Sequence, residues 1–164
     1  MSNDMKRWVG FAVGMVVTTF VTTSGVTTSA FAEKASEVDA VRAANAAFYA
    51  ALSARDIDAF VKVWSARSEV RHIGPRNKDV DVGLEAIKKN LQGVIETFPE
   101  LKVTPEQIQI RIVGAVAWVS DLENTERKNR AGETLIASNF GTSIFEKQGG
   151  KWLMVYHHSS VIPK

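Results

Sequence analysis

The 164-residue chain contains no cysteine. That excludes disulfides, thiolate metal sites, a cysteine nucleophile and a lipid-anchored cysteine behind a leader. Whatever holds the fold must therefore be its core. An excess of one charge is also missing: 20 basic against 18 acidic residues give a net charge of +2. So weak a balance argues against nucleic acid or an anionic membrane surface as partner. Histidine is scarce, with His72, His157 and His158 as the whole supply. Beyond residue 32 there is no repeat, linker or low-complexity stretch. The apolar and charged fractions, 45% and 23%, are those of an ordinary soluble domain.

The first thing present is a leader. Lys6 and Arg7 precede an uncharged run from Trp8 to Val17, and a Thr/Ser-rich stretch leads to Ala30-Phe31-Ala32. A basic start, an apolar middle and a small-x-small triplet make a signal peptide. Residues 1–32 are thus expected to be removed, leaving residues 33–164 as one domain, periplasmic or secreted, with no membrane attachment. The competing reading is an uncleaved anchor, since the uncharged run from Trp8 to Ala32 is long enough to span a bilayer.

Val38, Val41, Ala44, Phe48 and Leu52 recur every three to four residues and predict a helix over 36–54. Ile57, Phe60, Val61 and Trp64 suggest a shorter second helix. Residues 69–73 read as a strand closed by Gly74-Pro75. Asp81 is a plausible N-cap for a third helix with the stripe Leu84, Ile87, Leu91, Val94, Ile95 and Phe98. Four strand-like segments follow, 101–113, 115–126, 135–145 and 152–161, with turn signals at Gly114, residues 129–132 and residues 148–150. The expected fold class is α+β: three N-terminal helices on a curved antiparallel sheet, cone-shaped, with a pocket at the open end.

This order, and three stretches in particular, resemble the nuclear transport factor 2-like superfamily in its SnoaL-like and ketosteroid isomerase-like branch. The stretches are residues 48–60 (FYAALSARDIDAF), 83–87 (GLEAI) and 150–160 (GKWLMVYHHSS). The last is also similar to the association domain of calcium/calmodulin-dependent protein kinases. The resemblance implies the cystatin-like cone, a pocket and a pairing of subunits through strands. It does not carry over steroid isomerase activity. Where those enzymes hold a tyrosine, an aspartate base and a protonated aspartate, alignment puts Phe48, His72 and Ser138. Ser120 and Ser143 lie near the places of the association domain's pocket arginines. The fold alone names no reaction, because it hosts unrelated activities.

His72, at the position of the family's base, is the first catalytic candidate, since histidine is the usual general acid or base near neutral pH. The plainer alternative is a half-buried histidine bonded to a backbone carbonyl. Phe48, Tyr49, Trp64, Trp118, Phe140 and His157 are the expected substrate-binding wall. His157 and His158 must face opposite ways on one strand. Alternation separates Leu153, Val155, His157 and Ser159 from Trp152, Met154, Tyr156 and His158, and the family resemblance implies that the first set is the concave face and the second the convex one. That aromatic convex face suits a homodimer interface. No metal is expected. His72 and a strand histidine, with Asp121 or Glu123 as a third group, lack short ligand spacing. The basic group Arg67, Arg71, Arg76 and Lys78 either steers an anionic substrate or is a solvated loop.

Three functions compete: a cofactor-free dehydratase, isomerase or cyclase acting on a small apolar molecule with a carbonyl or hydroxyl; a binding protein with the same pocket; and a homo-oligomerisation module. A carboxylate or tyrosine close to His72 would favour the enzyme.

Overall fold

The computed structural model describes residues 24–163. The expected leader falls largely outside them. Its last part, from Ser24 onward, begins α1 (Ser24–Ala54), so the Ala30-Phe31-Ala32 triplet lies within a helix. No helix among the described residues is long and apolar enough to cross a membrane.

Val41, Asn45, Phe48 and Tyr49 are the buried stripe of α1, at the three-to-four-residue spacing of a helix face. The helix stops at Arg55, whose φ of 60° is left-handed. Hydrogen bonds from Arg55 N to Leu52 O and from Asp56 N to Ala51 O close it. Arg55 fills a position that usually takes glycine, and its guanidinium has a second use. It donates to Pro99 O (2.6 Å) and Ile95 O (3.2 Å), capping the end of α3 (Leu84–Thr97). Asp56 then caps α2 (Ile57–Val63) by accepting from Ala59 N.

Two short strands, β1 (Arg71–Ile73) and β2 (Asp81–Val82), precede α3. Four long ones follow it: β3 (Glu100–Val113), β4 (Val116–Lys128), β5 (Thr134–Gln148) and β6 (Lys151–Val161). They form one six-stranded sheet in the order β2-β1-β6-β5-β4-β3. All pairs are antiparallel except β1 with β6, which runs parallel and makes the sheet mixed. The expected three helices and α+β class are present. One boundary differs: Gly83, with φ 83°, begins α3, and Asp81 is a strand residue rather than its cap.

The inner sheet face and α1 to α3 enclose a core of Phe48, Phe60, Trp64, Ile87, Phe145 and Met154, among others. Two irregularities bend the sheet. In β3 the register shifts between Glu106 and Gln109, where Gln107 takes φ 53°. In β6 Ile144 pairs with Tyr156 but Phe145 pairs with Met154, so Val155 is an extra residue. The β6 bulge reverses an expectation. It puts Trp152 and Met154 on the inner face together with His157 and Ser159, all four buried. The convex face is therefore not the expected set of Trp152, Met154, Tyr156 and His158, because Trp152 and Met154 belong to the core.

Candidate functional site

A cavity of about 890 Å³ opens between α3 and the inner face of the sheet. His72 and His157 lie in its wall, and the topology brings them there. The parallel pairing of β1 with β6 puts His72 directly opposite His157. Neighbouring strands lie about 4.8 Å apart, so two side chains on one face at one register must touch. The rings stack, with centroids 5.6 Å apart and planes 13° apart. On the other side β1 pairs with β2, and His72 stands opposite Asp81. One cross-strand row thus reads Asp81, His72, His157, Ser143.

Each of these two histidines has a carboxylate. His72 Nδ1 lies 3.0 Å from Asp81 Oδ2, which also accepts from Asn77 Nδ2 at 2.8 Å. Asn90 in turn donates to Asn77 Oδ1 at 2.9 Å. A carboxylate only accepts, so Nδ1 carries the proton and the neutral ring's lone pair sits on Nε2. That nitrogen has no hydrogen-bond partner among the described residues. His157 Nε2 lies 3.3 Å from Glu123 Oε1, and its Nδ1 3.0 Å from Ser143 Oγ. Both of its nitrogens are engaged.

Glu123 belongs to a second buried group. Tyr49 Oη lies 2.8 Å from Glu123 Oε1 and 2.9 Å from Asp121 Oδ1, Asn45 Nδ2 donates to Asp121 Oδ2 at 3.0 Å, and Ser159 Oγ donates to Glu123 Oε2. Asp121 and Glu123 are alternate residues of β4 and so share its inner face. Gly141 makes room for them. A Cβ there would lie 2.2 Å from Asp121 Oδ1 and 2.8 Å from Glu123 Oε1.

The electrostatics separate these groups. Burial, and after it the neighbouring His157, pushes His72 down to about 4, although Asp81 pulls the other way. His72 is therefore a neutral imidazole at neutral pH. Burial raises the Glu123 carboxyl, but hydrogen bonds from His157, Ser159 and Tyr49, with the charge of His157, outweigh it and hold Glu123 below its usual range. Burial raises Asp121, against the bonds from Asn45 and Tyr49. Burial and the two carboxylates push the Tyr49 phenol far above its ordinary value, so it stays a donor.

The expected site residues divide. His72, His157 and Phe48 line the cavity. Phe48 packs against His157, with ring centroids 4.6 Å apart. Tyr49 and Trp64 are buried behind the wall, Tyr49 on the two carboxylates and Trp64 edge-on to His72 at 6.1 Å. Trp118 and Phe140 do not line it. They are 41% and 57% exposed on the outer face of the sheet. In β4 the inward phase belongs to Ala117, Val119, Asp121 and Glu123, so the intervening Trp118 points out. Phe140 lies opposite Leu122 on that outer face. Sequence reasoning missed Asp81, Asn77 and Asn90, and saw Asp121 and Glu123 only as metal candidates. Among the described residues no group of three or more His, Asp or Glu side chains converges on a metal-sized point.

Comparison with known proteins agrees with this geometry. The family model for the SnoaL-like domain matches residues 41–164. No curated protein matches the chain. Among solved structures, a candidate dehydratase of the NTF2-like family from Streptomyces avermitilis superposes with a TM-score of 0.72 at 18% identity, covering 79% of this chain and 99% of its own. A ketosteroid isomerase-like protein from Erwinia carotovora atroseptica gives 0.67 at 20%, covering 78% and 98%. A nuclear transport factor 2-like superfamily protein from Salmonella enterica gives 0.70 at 18%, covering 76% and 89%. The helices on a bent sheet, the cavity at their junction and the family match over residues 41–164 together make this chain a member of the SnoaL-like domain family.

Proposed function

We propose that the protein is a cofactor-independent acid–base enzyme of the dehydratase, isomerase or cyclase kind, acting on a small apolar molecule with a carbonyl or hydroxyl. One observation carries this reading: of the two stacked histidines in the cavity wall, only His72 keeps a nitrogen free of partners among the described residues. His72 Nε2 takes a proton from the substrate, and Asp81 stabilises the imidazolium that forms. His157, fixed by Glu123 and Ser143, holds the plane on which His72 stacks. The names of the Streptomyces and Erwinia structures support chemistry of this class.

The test is a screen of small carbonyl and hydroxyl compounds for turnover by wild type and His72→Ala. Removing a general base costs roughly 10²–10⁴ in rate. Equal turnover by both proteins would end the assignment.

Two further statements belong to the same proposal. The protein is exported, with residues 1–32 removed, as the leader pattern supports. N-terminal sequencing of the secreted form should begin near Glu33, and a mature start far from it would refute this. Two copies pair through the outer face of the sheet, where Trp118, Ile144 and Tyr156 stand in register across β4, β5 and β6.

A further inference from the structure

Away from the histidines, the cavity wall carries two arginines that the proton transfer does not use. Arg76, in the loop after β1, and Arg127, on β4, both line it. Their guanidinium carbons lie 4.8 Å and 5.2 Å from the centroid of one ring, Phe98 at the end of α3. Neither arginine forms an ion pair among the described residues. Arg127 Nε is buried with no hydrogen-bond partner among the described residues. The carboxylates that line the cavity are already engaged, Asp81 by His72 and Asn77, Glu123 by Tyr49, Ser159 and His157.

Two like charges gathered on one aromatic ring without a counter-ion are costly, and a buried N–H without an acceptor adds to the cost. Both guanidinium groups stack on Phe98, and the planar donors of a guanidinium match a carboxylate. Position matters as much as charge. Glu123, Thr125 and Arg127 are successive inward residues of β4 that line the cavity. At about 3.3 Å per residue, Arg127 stands roughly 13 Å along the strand from Glu123, which touches His157. Leu91, Val94, Leu101 and Val103 add apolar wall to the same cavity.

We infer that the cavity takes an amphipathic carboxylic acid, its carboxylate held by Arg76 and Arg127 and its apolar body directed toward His72. This rests on the proposed reading that the cavity is the ligand site, and it adds the charge and approximate length of the ligand.

Decanoate and decan-1-ol are suitable probes, because they share a chain length and differ in charge. Calorimetric titration of the wild type should show saturable decanoate binding, about tenfold or more tighter than decan-1-ol. In Arg76→Gln/Arg127→Gln that preference should disappear while the alcohol binds as before. Arg76→Gln/Arg127→Lys should keep part of it, and this pair serves as the reading if the double glutamine variant fails to fold. Equal binding of acid and alcohol by the wild type, an unchanged preference in the variants, or no saturable decanoate binding would overturn the inference. The readout contains no turnover, so the two proposals fail separately. A preference for the acid with no compound turned over would leave the carboxylate site standing without the chemistry. Turnover of neutral compounds with no preference for the acid would do the reverse.

Discussion

At the scale of single residues, His72 carries the proposed chemistry. Its imidazole is 12% exposed, stacked on His157 and bonded to Asp81. Its pKa, pushed down to about 4 from an ordinary 6.5, makes it a proton acceptor that is ready but weakly basic. The same shift sets a stability trend. Between pH 6.5 and pH 4 the unfolded chain binds a proton that the folded protein refuses. The contribution of His72 is therefore intact above about pH 6.5 and lost as pH falls toward 4, by about 3 kcal/mol at full shift. Denaturant titrations at pH 7, 5.5 and 4 should show this fall in the wild type and a smaller one in His72→Gln. An identical pH dependence in both proteins would mean that His72 titrates normally. At neutral pH the loss of its bond to Asp81 should cost only about 1 kcal/mol, because Asn77 still holds the carboxylate.

At the scale of elements, the sheet assembles the site from pieces that are far apart in sequence. Gly141 shows how closely it is built. Gly141→Ala drives a Cβ onto two buried, hydrogen-bonded carboxylates, so it should destabilise by about 1–3 kcal/mol and displace Glu123 from His157. Gly93→Ala is the natural control. Gly93 lies inside α3 with nothing among the described residues within 4 Å of the added Cβ, and alanine there should stabilise by about 0.5–1 kcal/mol. Urea midpoints of the two variants should therefore move in opposite directions, and a neutral Gly141→Ala would show that the carboxylates are not packed against this glycine.

The elements themselves were largely legible. The spacing of Val41, Phe48 and Leu52 marks α1, and Gly114 and Gly149-Gly150 mark the turns of the meander. Strand phase was less so. An extra residue at Val155 flips the faces of β6 with no signal in hydropathy, and a tryptophan flanked by Ala117 and Val119 invites the wrong phase for β4. Partnerships across the fold left no local trace. Asp81 looks like a helix cap because Leu84 begins a helix three residues later, yet its side chain goes to His72. The stacking of His72 on His157 depends on a parallel pairing between segments 85 residues apart, which a single sequence does not display. Alternation could have revealed Asp121 and Glu123, since they continue the inward phase of Ala117 and Val119.

At the scale of the whole molecule, the bent sheet has two faces of different character. The inner one carries the cavity. The outer one leaves Trp118 and Phe140 bare, with Leu122, Ile144 and Tyr156 beside them in register. A contiguous apolar patch of this kind is seldom left to water. Light scattering at micromolar concentration should give the mass of a dimer for the wild type and of a monomer for Trp118→Lys/Phe140→Glu. A clean monomer mass for the wild type would refute the pairing. The places first expected of two pairs of side chains thus change: Trp118 and Phe140 move from the pocket wall to the outer face, and Trp152 and Met154 from the outer face to the core.

The measurement closest to the central claim asks whether His72 moves protons to and from a bound carbon acid. Carbonyl compounds with an apolar body are incubated in D₂O with wild type or His72→Ala, and deuterium incorporation next to the carbonyl is read by mass spectrometry, with a thermal melt of each protein alongside. For at least one compound the wild type should accelerate exchange. His72→Ala should lose that acceleration by about 100-fold or more while melting within a few degrees of the wild type. Exchange that is equally fast in both proteins, or a variant that melts far lower yet retains its exchange rate, would contradict the assignment and leave His72 a structural residue.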